Sequence, residues 1–404
     1  MKRLSIVLCS LAMVSNLLSD FPFARAAEFT VVHSFCTQVA CPDGSSPYAR
    51  LLAYDGKLYG TTYQGGAHNY GTVFSISLES GVEKVVHSFQ DDGADGVSPA
   101  AGLINVNGTL YGTTRYGGSY DEVGTVFSLD PKTDAVTVLY AFSYENMDGN
   151  YPQAGVIDVN GTLYGTTVSG GRCCGTVYSL DVASGTETVL YAFCSEANCA
   201  DGGGPQSGLV SFKGKLYGTA YNGGGHLRGG VFAIDRKAGA YTMLHSFNPN
   251  GRDGLSPSGG LIAVHGMLFG TTSAGGKHGG GTVFSIDPAT GSETVLYSFC
   301  KHRDCRDGQN PGANLLEVNG TLYGTTVNGG TYGYGTVFSF DSNTGNETVL
   351  HSFNNDDGAM PEAALIKADG MLFGTTFGGG NSDSTCPWRC GTVFSVTLPL
   401  DHNK

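Results

Sequence analysis

The sequence predicts a seven-bladed β-propeller, all-β throughout, and three observations carry that prediction. The phrase LYGTT or a near copy begins at Leu58, Leu110, Leu163, Leu216, Leu268, Leu322 and Leu372, in steps of 50 to 54 residues. Each copy lies in a unit holding four short apolar or β-branched runs, which is the arithmetic of a propeller blade. The last unit lacks its fourth run, and the N-terminus supplies one.

The second unit displays the elements in order. Residues 102–106 run into Asn107-Gly108 and then into a second strand, 109–114. An Asn-Gly pair between two short apolar runs is the strongest local hairpin signal, because both turn residues take positive φ. Every copy keeps glycine there: Gly56, Gly108, Gly161, Gly214, Gly266, Gly320 and Gly370. A loop containing Gly117-Gly118 precedes the third strand, 124–130. The polar turn 131–135 leads to the fourth, 136–142. Helical periodicity is absent. At the start of the chain, Val31-Val32-His33-Ser34-Phe35 matches Val85-Val86-His87-Ser88-Phe89, so the first strand is expected to complete the last blade. Closure removes the sheet edges that an open array would expose. One propeller domain then spans residues 29–398, with a short polar tail at 399–404.

Residues 1–26 read as an export signal: a basic start, an apolar stretch from Leu4 to Leu18 and the small-x-small site Ala24-Arg25-Ala26. No other stretch is long and apolar enough to span a bilayer. The expected product is secreted or periplasmic, without a membrane span, and monomeric. Removing the leader takes away Lys2, Arg3, Arg25 and Asp20, which moves the net charge from −13 to −15. That excess of acid argues against nucleic acid as a partner.

The repeat LYGTT…GG…GTVFSID…TG.ETVLYSF is similar to that of the GloVer (Gloeobacter/Verrucomicrobia-type) tandem-repeat proteins, and the resemblance covers all seven units. It implies an exported propeller and no particular activity. The layout also resembles kelch repeats, with a Gly pair after the second strand. It lacks the kelch Trp in every blade, since the chain has one Trp.

In a propeller, the loop between strands two and three and the loop between blades emerge on one face. Here that face carries all the length and variety, so function is expected there. Each blade-to-blade loop contains Asp-Gly-x-x-Pro or a close variant, with Asp43, Asp95, Asp148, Asp201, Asp253, Asp307 and Asp357. A sevenfold Asp without a D-x-D-x-D-G run reads as a turn device and not as a set of metal sites. No metal is expected. The His or Tyr of the fourth strand (His87, Tyr140, Tyr191, His245, Tyr297, His351) reads as structural by the same logic.

Departures from the repeat are the candidate site. Three positions past each loop proline the residue is Gly, Ala or Asn, except for Arg50 in the first blade. Beside it stand Tyr48, Gln153, Gln206, Asn314 and Glu362. Two readings remain open: Arg50 clamps a carboxylate or a sugar, or it pairs with Glu362 across the closure. The loops between strands two and three add Tyr63, Arg115, Tyr116, Arg172, His226, Arg228, His278, Tyr332, Tyr334, Trp388 and Arg389. Cations and aromatics on one face of an acidic protein suit an anionic or polyhydroxylated ligand.

All ten cysteines after the leader fall in local pairs. Cys36/Cys41, Cys194/Cys199 and Cys300/Cys305 share one repeat position and read as small disulfide loops. Cys386/Cys390 would hold Trp388 at a loop tip. The adjacent pair Cys173-Cys174 resembles the vicinal disulfide of quinoprotein alcohol dehydrogenases, but the per-blade Trp motifs of those enzymes are missing, so no cofactor is expected. The leading expectation is an exported propeller that binds an extracellular glycan. One alternative is a polysaccharide lyase acting on uronic-acid polymers, with His226, His278, Tyr116 and Arg115 as its machinery. Another is a structural module that binds an envelope protein.

Overall fold

The computed structural model describes residues 27–118, 122–380 and 390–398. Seven four-stranded antiparallel sheets are arranged as blades. In the first blade the strands are Leu52–Tyr54, Lys57–Thr62, Thr72–Ser77 and Glu83–Ser88, from the axis outward. The closing blade joins Ile366–Ala368, Met371–Thr376 and Thr392–Thr397 to the N-terminal strand Phe29–Ser34, with Phe29 opposite Val396 and Ser34 opposite Thr392. The two 3₁₀ turns, Ala197–Cys199 and Arg303–Cys305, both lie inside cysteine loops. No helix among the described residues is long and apolar enough to cross a membrane.

The LYGTT phrase divides its labour residue by residue. Its Leu is fully buried in every blade and enters one of seven clusters, each of which lies between neighbouring blades. Its Gly leaves room for the Phe or Tyr of the third strand. A Cβ on Gly112 would stand 2.6 Å from Phe127 Cζ and 2.7 Å from Leu103 Cδ2. Its first Thr donates to a backbone carbonyl one blade further on: Thr61 to Ala101, Thr113 to Ala154, Thr166 to Ser207, Thr219 to Gly259, Thr271 to Ala313 and Thr325 to Ala363. Thr375 completes the circle by donating to Ala49 at 3.2 Å. The second Thr pairs with the first Thr of the third strand, as Thr62 does with Thr72 at 2.8 Å. The fourth blade has Ala220 and Gly230 in place of that pair, and Met243 lies against the backbone of Gly230.

The innermost strands are shorter than the sequence predicts. In the second blade the paired residues are Ile104–Val106, not 102–106. The reason is convergence at the axis. A Cβ on Gly102 would lie 2.4 Å from the carbonyl oxygen of Arg50, so neighbouring chains already touch there and small residues are required.

The outer end of each blade is tied by the loop Asp. In all seven, its carboxylate meets the His or Tyr of the preceding strand, at 2.5 to 3.3 Å. The same carboxylate accepts backbone N–H groups at the start of the loop, such as Cys36 for Asp43 and Lys301 with His302 for Asp307. It therefore acts as a clamp reaching back across the loop, a tighter arrangement than the local turn expected.

Against each clamp packs one residue of the next blade. It is Glu83, Glu187, Glu293 or Glu347 at four junctions, each with a buried oxygen lacking a donor. Burial raises the pKa of all four, reinforced by the neighbouring Asp. Glu187 is pushed up to about 8 and Glu347 to about 7. At two other junctions the position is aromatic: Tyr241 stacks on Tyr191 at 4.0 Å and Phe29 on His351 at 3.6 Å.

Candidate functional site

The sequence places the loop between strands two and three on the same face as the loop between blades, and pairing confirms it. Gly96–Val97 pairs with Tyr116–Gly117, Gly254–Leu255 with Ala274–Gly275, and single bridges such as Ser45 to Gln64 and Gln309 to Asn328 do the same in the other blades. These contacts brace the long loops against the disk.

At the axis lies a cavity of about 440 Å³. Its lining includes residues just past the loop prolines, among them Tyr48, Gln153, Gln206, Ser258 and Glu362, and the innermost residues Arg50 and Asn314. Asn314 is committed to the scaffold, since its Oδ1 accepts the Gly260 N–H at 2.7 Å. Tyr48 is held from two sides. Gln153 Nε2 donates to its hydroxyl at 3.1 Å, and the Glu362 side chain interacts with the same hydroxyl. Burial, then the charge of Glu362, pushes the Tyr48 pKa up to about 12. Burial also raises Glu362, and the Tyr48 hydroxyl opposes that shift.

Arg50 is the one cation in the innermost ring, and the described residues give it neither an ion pair nor a side-chain hydrogen bond. The pairing with Glu362 is therefore not made, because Glu362 is turned to Tyr48. Arg50 keeps surface open to solvent inside the cavity, yet the surrounding protein desolvates its guanidinium enough to lower the pKa. A partly desolvated cation without a counter-charge is an energetic cost that an anionic group would relieve.

A second group continues from the mouth across blades one to three. Arg115 lies with its Cζ 5.4 Å from the Tyr116 ring centroid. Tyr63 lies beside both, and its pKa is raised by burial and by Tyr116, with the charge of Arg115 opposing. The charge of Arg115 also acts on Tyr48, which joins this group to the cavity. Tyr116 meets Tyr151 edge-on at 5.3 Å, and the Tyr151 hydroxyl bonds to that of Tyr144. Tyr144 and Tyr151 lie in a loop between blades, and sequence reasoning missed them. The signal available was a pair of tyrosines in a connection where other blades carry polar residues.

The remaining candidates do not converge. Arg172, His226, Arg228, His278 and Tyr332 are exposed on four loops, His226 and Arg228 sharing one, and the structure gives no side-chain contact among them. The proposed lyase set is thereby split, with Arg115 and Tyr116 at the mouth and His226 and His278 in the fourth and fifth blades. Trp388, Arg389 and Cys386 lie outside the described residues, as do the leader and the polar tail. Cys390 is buried. Cys36–Cys41, Cys194–Cys199 and Cys300–Cys305 form the expected loops, with Cα separations of 4.1, 4.1 and 4.0 Å. Cys173 and Cys174 are joined to one another.

A family model described as the Gloeobacter/Verrucomicrobia repeat matches residues 20–123, 121–306 and 226–402. The chain belongs to this family. Among solved structures it is similar to an oligogalacturonate lyase in complex with manganese, at 11% identity and a TM-score of 0.54, covering 93% of this chain and 97% of that one. It is also similar to an oligogalacturonate lyase from Vibrio parahaemolyticus, at 10% identity and a TM-score of 0.54, covering 94% and 98%. At such identities the likeness extends to the fold alone. No curated protein matches the sequence.

Proposed function

We propose that this family member is an exported binding protein whose loop-rich face takes an anionic, polyhydroxylated ligand, a uronate-bearing glycan being the best fit. The observation that carries the reading is Arg50. It breaks the ring of small residues, projects into a cavity of about 440 Å³ and has no counter-charge among the described residues. A cavity of a few hundred Å³ suits one or two sugar rings. The carboxylate would meet Arg50, while Gln153 and Glu362 supply groups for hydroxyls. Tyr63, Tyr116 and Tyr151 offer ring faces and edges beside the opening for the next residues of a chain. The leader and the small cysteine loops support an oxidising compartment outside the cytoplasm.

A lyase acting on uronic-acid polymers is the second reading, favoured by the fold it shares with two oligogalacturonate lyases. The geometry weighs against it, since a lyase base and the cation that neutralises the acid group must act on one sugar, and His226 and His278 stand in the fourth and fifth blades, apart from Arg115 and Tyr116.

Calorimetric titration with digalacturonate, trigalacturonate and a neutral disaccharide of the same size tests the proposal. Saturable binding of the uronates alone is expected. Equal binding of the neutral sugar, or no binding at all, would contradict it. Unsaturated uronate products accumulating on incubation with polygalacturonate would move the assignment to the lyase.

A further inference from the structure

We propose that the junction between blades four and five is a divalent-cation site, with His245, Asp253 and Glu293 as its protein ligands. The proposal concerns the rim of the disk and is independent of the ligand at the axis. His245 lies on the outer strand Tyr241–Ser246, Asp253 on the loop that follows, and Glu293 on the outer strand of the next blade, Glu293–Ser298. One ligand atom from each lies within 4.8 Å of the other two.

Every junction has a loop Asp, so the question is what differs here. In the six other blades both carboxylate oxygens of that Asp are used or its neighbours lack ligand chemistry. Asp307, for instance, accepts from Tyr297 and Lys301 on Oδ2 and from His302 on Oδ1. Asp43 takes the Cys36 N–H on both oxygens. Asp253 is the exception. Its Oδ2 accepts the Asn248 N–H at 2.9 Å and meets His245 Nε2 at 3.2 Å, while Oδ1 is buried and has no donor. The side chain is only 9% exposed. Across the junction Glu293 Oε1 is likewise buried and has no donor. Two carboxyl groups with idle buried oxygens face one imidazole, an arrangement that leaves ligand-type atoms without partners.

A cation resolves it. Imidazole nitrogen and carboxylate oxygen bind zinc at about 2.0–2.2 Å, so two ligands on one tetrahedral ion stand about 3.3–3.6 Å apart. The observed 3.2 Å between His245 Nε2 and Asp253 Oδ2 lies just short of that range, so a slight opening of the pair admits the ion. The Glu293 ligand atom, within 4.8 Å of the other two, would move inward to supply the third ligand, and solvent would take the fourth position. One nitrogen and two carboxylates favour a zinc-like ion over calcium, which takes oxygen ligands. On binding, Nε2 of His245 gives up its proton, to solvent from an imidazolium or to Nδ1 from the neutral ring, as the metal takes its place.

The test uses the whole chain, stripped with a chelator, dialysed and titrated with zinc chloride alone. Metal content is counted by elemental mass spectrometry and thermal melting is followed with and without zinc. One tight zinc per chain is expected, with a rise in melting temperature. His245→Tyr installs the residue that blades two, three and five carry at this position, so it should fold and keep its clamp on Asp253. It should weaken zinc binding by about tenfold or more, and Glu293→Gln should do the same. A double variant, His226→Ala with His278→Ala, removes exposed imidazoles and should leave the tight site intact. No tight zinc in the wild type, or unchanged affinity in His245→Tyr, would overturn the proposal. So would loss of the site in the double variant.

Discussion

The rim and the axis of this disk handle ionisable groups in opposite ways. At the rim each of seven Asp carboxylates is clamped by a His or Tyr and by backbone N–H groups. At the axis Arg50 occurs once, breaks the repeat and is left without a partner among the described residues. Burial is part of the difference, since the clamp carboxylates are buried or half-buried and Arg50 is exposed within the cavity. The rest is saturation. A clamp repeated in every blade builds the fold, and it satisfies itself everywhere but at Asp253, whose Oδ1 has no donor. A charge that occurs once and stays unsatisfied is open to something from outside.

The comparison breaks if the clamps recognise ligand, and the largest expected effect addresses that. Asp307 is 2% exposed, and Asp307→Ala orphans two backbone N–H groups and leaves the Tyr297 hydroxyl only its longer contact with Glu347, at 3.4 Å. Denaturant unfolding should show a loss of roughly 3–5 kcal/mol, with uronate affinity unchanged below the melting transition.

A smaller effect sharpens the account of the junctions. Glu187 has its pKa raised from 4.5 to about 8, by burial first and by Asp148 second. The folded protein therefore holds a proton that the unfolded chain releases. Stability from this group is fully present below about pH 4.5 and is lost as pH rises through about 8. Glu187→Gln should leave melting unchanged at acid pH and raise it above pH 8, by roughly 1–3 °C in a domain of this size. Melting curves across pH would show a flat difference if the group titrated normally.

The smallest effect concerns the outlying loops. His226→Ala and His278→Ala should each change uronate affinity by less than about twofold, since exposed side chains away from the contact contribute little. A larger loss in calorimetry would extend the site across the whole face.

Much of this architecture was legible from residues alone. Hairpin glycines, the repeat period and the N-terminal strand led to blade number, strand count and closure. The roles of the two threonines in LYGTT were not legible, because the first reaches a carbonyl about forty residues away in the next blade. The shortened inner strands were hidden for a related reason, since their limit is the approach of neighbouring chains at the axis. At the site, Arg50 stood out by breaking the repeat, with Tyr48 beside it at a position that varies from blade to blade. The assembly of Arg115 with Tyr63, Tyr116 and Tyr151 depends on loops folding toward each other across blades, which no local pattern encodes. The exposed His and Arg of later blades matched the same residue classes and proved to be separate. Residue type is visible in a sequence, and convergence is not.

Arg50→Gly gives the most direct test of the central claim. Glycine occupies the same ring position in blades two to five, so the substitution makes the first blade resemble its neighbours. Titration of the variant with trigalacturonate should show affinity reduced about tenfold or more, the loss of one charge-assisted carboxylate contact, with melting close to wild type. Undiminished uronate binding in a variant that melts normally would contradict the account.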